Sequence, residues 1–207
     1  MKIAVLISGR GSNLQALISS SNGTNSNFKI VQVISDNPDA LGLEISKKSG
    51  IPTKVIDHRL FRDRKTYDET ITSVIEACGV ELICLAGFMR ILSAPFIDHW
   101  RNRLINIHPS KLPAFKGLNV HQRVIDSGKK ITGCTVHFVR NEIDTGPIIC
   151  QASVQVNDID DAESLASRVL DQEHLIYPKA IRLIAQGRVT VNGEQALIDG
   201  KILYNNK

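Results

Sequence analysis

The stretch "KIAVLISGRGSNLQALISS", Lys2 to Ser20, decides the fold class. It opens on a short apolar run rich in branched residues, the pattern of a strand buried on both faces. Ser8 ends that run. Gly9 and Gly11 then supply a loop that can turn tightly and bring backbone close to a ligand. "SNLQALISS" has a helical pattern, with Ser12 or Asn13 placed to cap it. Strand, glycine loop and helix in this order make the first half of a βαβ unit.

The theme recurs through the first half of the chain. "FKIVQVIS" (28–35) is a second run, ended by "DNPDA", and "LGLEISKKSG" (41–50) reads as a helix with a glycine stop. "TKVID" (53–57) is a third run. "RKTYDETITSVIEACG" (64–79) is amphipathic, with Tyr67, Ile71, Val74, Ile75 and Cys78 along one helical face. "ELICLAG" (81–87) and "RLINIH" (103–108) are two more buried-type runs, separated by a short helix in "SAPFIDHW" that Ser93 caps. Strands alternating with helices predict an α/β fold, an open, doubly wound, mostly parallel sheet over roughly residues 1–110. In such sheets ligands bind outside the carboxyl ends of the strands. After residue 110 the pattern changes. "ITGCTVHFV" and "PIICQASVQV" alternate like antiparallel strands, a long helix runs from about Asp161 to Gln186, and "RVTVNGEQALIDGKIL" reads as a small hairpin turning at Asn192-Gly193. No Pro/Ser-rich linker intervenes, so 1–207 reads as a single domain, with a βαβ half (1–110) and a distinct C-terminal part (111–207).

Bulk composition excludes several classes. The 207 residues are 43% hydrophobic and 22% charged, an ordinary globular balance with room for a sizeable core. The net charge of +4 is spread along the chain with no Lys/Arg block of the kind that forms a nucleic-acid arm, and it suits a small anionic substrate. Cys78, Cys84, Cys134 and Cys150 form no CxxC pair, which argues against a structural zinc site; three sit in apolar runs and read as reduced core residues of a cytoplasmic protein. No signal peptide and no membrane span is expected.

Four motifs carry chemistry. In "SGRGSNL" (8–14) the backbone N–H groups at a helix start favour a phosphate. A dinucleotide loop would want a third glycine where Leu14 stands, and no GK[ST] of a P-loop follows, so one phosphate fits better than two. Asp36 ends the second run where a ribose-binding acid would sit, although Asp before Asn-Pro also starts turns. In "RLINIHPSKLP" (103–113) Asn106 and His108, two apart on a strand, share one face at its carboxyl end. An amide donor and a group that exchanges protons near neutral pH can handle an oxyanion or a transferring proton; a hydrogen-bonded core pair is the alternative. Asp144 starts a Thr-Gly-Pro turn, either as a turn former or as a carboxylate that orients and charges His108. Glu173 lies on an otherwise apolar helical stripe with Leu165, Val169 and Tyr177, which is costly unless it is paired or faces a cleft. His137 is placed to support the site from behind, while His58, His99 and His121 read as surface or structural residues.

Together "SGRGSNLQALI", "AGFMRIL", "INIHPSKLP", "GCTVHFV…DTGPII" and "QEHLIYP" resemble the phosphoribosylglycinamide formyltransferase family of purine synthesis, in the family's order and over essentially the whole chain. The Asn-x-His pair and the D-x-G-P turn are shared with methionyl-tRNA formyltransferase and formyltetrahydrofolate hydrolase. "GRGSN" and "QEH" point to the ribonucleotide branch, and the length leaves no room for the extra domains of those relatives. Lys111 and Asn119 depart from the usual pattern. The resemblance implies a Rossmann-like formyltransferase fold whose first half holds phosphate and whose later part carries the folate site. It implies that Asn106, His108 and Asp144 are catalytic, that Gly11, Ser12 and Asn13 bind the ribonucleotide phosphate, and that Glu173 binds its ribose or glycinamide end. Met89, Arg90, Ile91 and Leu92 would wall a folate pocket, with Arg64 and Arg90 as candidates for the folate carboxylate.

The co-substrate would be 10-formyltetrahydrofolate, with no metal, no nucleic acid and no membrane, in a monomer or weak homodimer. Three rivals stay open. A hydrolase would release formate without the ribonucleotide. A nicotinamide-dependent oxidoreductase is favoured only by GxG and Asp36. A non-catalytic folate binder would not need Asn106, His108 and Asp144 together.

Overall fold

The computed structural model describes residues 1–23 and 26–204. The apolar runs become strands and the patterned stretches between them become helices. In chain order these are β1 (Lys2–Ile7), α1 (Ser12–Ser21), β2 (Lys29–Ser35), α2 (Leu41–Lys48), β3 (Thr53–Val55), a 3-10 turn (His58–Leu60), α3 (Arg64–Ala77), β4 (Leu82–Leu85), α4 (Ala94–His99) and β5 (Leu104–His108). Then follow α5 (Val120–Asp126), β6 (Ile131–Phe138), β7 (Ile148–Gln155), α6 (Ala162–Ala185), β8 (Val189–Asn192), β9 (Gln195–Ile198) and β10 (Lys201–Ile202). The first seven strands form a mostly parallel sheet in the order β3-β2-β1-β4-β5-β6-β7, and the last three form an antiparallel sheet in the order β10-β9-β8. Met1–Ile105 and Asn106–Lys207 are two compact units.

In the first unit β1 is the centre, parallel to β2 on one side and to β4 on the other. Ile3, Ala4, Val5, Leu6 and Ile7 have no solvent exposure, which explains the unbroken apolar run. The chain returns across β1 from β3 to β4, so a topological switch point lies between β1 and β4, where ligands gather in such folds. Helix starts follow the local signals. The Asp63 side chain accepts Thr66 N–H at the start of α3, and the Ser93 side chain accepts Phe96 N–H at the start of α4. α1 differs from expectation. Its cap is Gly11, in the left-handed conformation at φ 79°, and neither Ser12 nor Asn13 caps it; no side chain does.

In the second unit β6 and β7 pair antiparallel, with an irregular step between Val136 and His137 that lets β7 carry an extra residue there. α6 packs on both strands, and Leu165, Val169, Glu173 and Tyr177 are all buried, as their four-residue spacing predicts. A capping box of Asp161 and Ser164 starts α6. α5 is too short for its pattern to stand out in sequence, and β10 adds a strand to the expected hairpin, whose turn residues are Gly193 and Glu194.

Candidate active site

β5 carries its two polar residues to its carboxyl end, where His108 is 5% exposed and Asn106 is half-buried. The turn beyond is braced from β6. Thr135 Oγ1 donates to Ser110 O at 2.7 Å and accepts Leu112 N–H at 3.0 Å. Lys111 reaches β7, its Nζ donating to Ser153 Oγ at 3.1 Å, which gives that departure a structural role.

The side chains of Asn106, His108, His137 and Asp144 gather here with two backbone groups, the Gly117 N–H and the Phe115 carbonyl. Asp144 has φ 53°, a conformation that Asp tolerates better than most residues, and its side chain is 10% exposed. Its Oδ2 accepts Gly117 N–H at 2.8 Å and faces His108 Nδ1 at 3.2 Å. The other ring nitrogen of His108, Nε2, lies 2.9 Å from the Phe115 carbonyl oxygen. A carbonyl can only accept, so Nε2 carries hydrogen. A carboxylate facing Nδ1 is likewise best met by an N–H, so the pocket suits the doubly protonated, cationic ring.

His137 behaves in the opposite way. It is fully enclosed, and its Nδ1 lies 2.9 Å from Phe138 O, which assigns the hydrogen to Nδ1. Burial, helped by the His108 and Arg140 charges, pushes its pKa down to about 4 against the pull of Phe138 O and Asp144. Neutral His137 therefore presents an acceptor at Nε2, 3.4 Å from Asn106 Nδ2 and 3.6 Å from Asp144 Oδ1. That contact fixes which end of the Asn106 amide is the nitrogen. An amide nitrogen has two hydrogens, so Asn106 can give a second one to a ligand. The arrangement sets an imidazole, an amide donor and a carboxylate side by side. It can stabilise negative charge on an oxygen and accept a proton from an attacking group.

In the first unit the loop after β1 approaches α2 closely. A Cβ on Gly11 would lie 2.7 Å from Gly42 Cα, and Gly42 N–H donates to Gly9 O at 3.1 Å. Leu14, where a dinucleotide motif would have glycine, is fully buried. Ser8 ties this loop to the one after β4: its N–H donates to Gly87 O at 3.1 Å and its Oγ accepts Met89 N–H at 2.8 Å. Beyond that tie Met89 is 68% and Ile91 62% exposed, large apolar side chains left on a surface, while Leu92 turns into the core and Arg90 is exposed. Arg64 is exposed at the first turn of α3.

The structure thus brings Asn106, His108, Asp144 and His137 together. It places Gly11, Ser12 and Asn13 at a helix start that no side chain caps, and Glu173 in the interior near Cys134, whose thiol pKa burial and the Glu173 charge push up to about 12. Sequence reasoning missed the Phe115 carbonyl and the Gly117 N–H, because backbone groups carry no residue signature. His99 pairs with Glu76 at 2.8 Å, as a surface histidine would. Among the described residues no group of three or more His, Cys, Asp or Glu side chains is placed to hold a metal ion, and no helix is long and apolar enough to cross a membrane.

Residues 1–181 match the formyl transferase family model. The chain is 41% identical to phosphoribosylglycinamide formyltransferase of Escherichia coli over 98% of its own length and 96% of that protein's. It is 49% identical, over 95% of its length, to the trifunctional purine biosynthetic protein adenosine-3 of Bos taurus, of which it spans 19%. Glycinamide ribonucleotide transformylase 1 from Symbiobacterium toebii superposes with a TM-score of 0.93 at 43% identity, covering 96% of this chain and 93% of that one.

Proposed function

The chain belongs to the phosphoribosylglycinamide formyltransferase family of formyl transferases, and from that premise we propose that it moves the formyl group of 10-formyltetrahydrofolate to the amine of glycinamide ribonucleotide in purine synthesis. One observation supports this most: His108, with both ring nitrogens facing acceptors, stands between the Asp144 carboxylate and the Phe115 carbonyl, beside the Asn106 amide.

Each residue then has a task. His108, as imidazolium, redirects its Nε2–H from the Phe115 carbonyl to the formyl oxygen as negative charge develops there and supplies the proton that the leaving folate nitrogen needs. Asn106 gives a second hydrogen bond to the same oxygen. Preorganised donors of this kind typically contribute about 3–4 kcal/mol each. Asp144 orients His108 through Nδ1 and receives the proton lost by the attacking amine. His137, held neutral, sets the Asn106 amide and does not compete for that proton.

Gly11, Ser12 and Asn13 hold the ribonucleotide phosphate on backbone N–H groups at the start of α1, and Glu173 binds the ribose or glycinamide end. Met89, Arg90, Ile91 and Leu92 wall the folate pocket, the exposed Met89 and Ile91 side chains suiting a flat aromatic ligand. Arg64 and Arg90 meet the folate carboxylates. We place the reaction in the cytoplasm, in a monomer or weak homodimer acting on small molecules alone.

The test measures loss of the formyl group from 10-formyltetrahydrofolate with and without glycinamide ribonucleotide. Transfer that requires the ribonucleotide is expected. Release of formate at the same rate without it would refute the proposal in favour of a hydrolase.

A further inference from the structure

Arg140 lies just ahead of Asp144 in a segment closed at its base, where Phe138 N–H donates to Pro147 O at 2.9 Å. Its side chain is only 8% exposed, an uncommon place for a guanidinium that stays charged at any working pH. Two of its contacts bear on the turn. The stem crosses the turn, since a Cβ on Gly146 would lie 3.2 Å from Arg140 Cγ. At the far end Nε donates to Glu194 Oε2 at 2.6 Å, while Nη1 donates to Val139 O at 3.0 Å. Glu194 belongs to the turn between β8 and β9, and β9 packs beside β7. The C-terminal hairpin, which lies beyond the formyl transferase match, therefore reaches the segment that carries Asp144.

We infer that Glu194 is a positioning residue for the Asp144 turn, acting through Arg140; this rests on the catalytic reading of Asp144. A buried guanidinium is costly when its carboxylate is taken away. Without Glu194 the Arg140 head moves toward water, and its stem leaves Gly146. Asp144 is held at φ 53° by its surroundings, so slack in this turn is expressed as displacement of its carboxylate from His108. Misplacing a catalytic group by about 1 Å can cost about a hundredfold in rate. A carboxylate on a half-exposed hairpin, 54 residues beyond Arg140 in the chain, thus governs the spacing at the reaction centre.

The experiment compares Glu194→Ala, Glu194→Gln, Arg140→Met and the double variant Arg140→Met with Glu194→Ala. Glu194→Ala is expected to lower kcat about tenfold while the ribonucleotide KM stays within about twofold. Glu194→Gln, which keeps the acceptor for Arg140 Nε, restores most of kcat. The double variant, with no buried cation to displace, turns over faster than Glu194→Ala alone, the coupling expected of contacting residues. It also serves if Glu194→Ala fails to fold. ¹⁵N NMR of the His108 and His137 rings reads the geometry without turnover, so a native chain that lacked formyl transfer would defeat the catalytic reading and leave this inference decidable. Ring signals and kcat unchanged in Glu194→Ala, or strictly additive losses in the double variant, would overturn it.

Discussion

Asp144→Asn separates charge from shape at the reaction centre. Position 144 has φ 53°, where alanine would add about 1–2 kcal/mol of backbone strain and asparagine adds little. The amide can also keep every contact. Its oxygen, in the place of Oδ2, still accepts Gly117 N–H and faces His108 Nδ1, and its nitrogen, in the place of Oδ1, points at His137 Nε2, an acceptor in the neutral ring. The melting temperature should therefore stay within about 3 °C of native, the shift that roughly 1 kcal/mol gives a chain of this size. Turnover should not survive. At 3.2 Å two unit charges attract by about 5 kcal/mol at an effective dielectric constant of ~20, before either loses solvation. A hydrogen bond to a charged group retains about 1.5–3 kcal/mol of that, or roughly 10- to 150-fold in rate. Loss of the proton acceptor itself typically costs about 10²–10⁴-fold. We expect kcat to fall between about a hundredfold and ten-thousandfold, with both KM values near native, in a steady-state assay with each substrate varied in turn. A kcat within about threefold of native in a variant that melts normally would refute the reasoning.

Two other perturbations probe different parts of the chain. Gly11→Ala places a Cβ 2.7 Å from Gly42 Cα at φ 79°, so it should lower the melting temperature by about 5 °C and raise the ribonucleotide KM more than the folate KM; equal effects on both would count against the phosphate assignment. His137 has its pKa pushed down from 6.5 to about 4 in the folded chain, so between those values the unfolded chain binds the extra proton. Its contribution to stability is complete above about pH 6.5 and is lost as the pH falls toward 4. Urea midpoints at about pH 5 and pH 7.5 should differ less in His137→Gln than in the native chain, and an equal difference would sink this account.

Much of the architecture was legible because buried parallel strands and amphipathic helices write their periods into sequence. "KIAVLI" is apolar throughout because both faces of β1 are covered, and Glu173 stood out because its neighbours at four-residue spacing are all core. The Asn106–His108 pair was visible as two polar residues on one strand face. What escaped has physical reasons. The α1 cap was misplaced because Gly11, in a left-handed conformation, takes the position that Ser12 or Asn13 would fill. α5 spans seven residues and opens at Asn119 with φ 53°, too short a run for a period to emerge. The Phe115 carbonyl and Gly117 N–H are backbone groups whose placement depends on the loop. The contacts of Lys111 with Ser153 and of Arg140 with Glu194 join residues far apart in the chain, where no local pattern exists.

Ser8 has a consequence for how two ligands sense each other. It bonds the loop after β1 to the loop after β4 through both its backbone N–H and its hydroxyl, so the two loops form one mechanical piece. A ligand that stiffens one loop has already ordered part of the other, and the next ligand meets less disorder to remove. With the phosphate and folate sites where we propose them, reciprocity would fix the exchange: whatever factor phosphate binding added to the affinity of the Met89 side, binding there would return to the phosphate. If the two substrates bind where we propose, the two bonds of Ser8 would couple them through the fold itself.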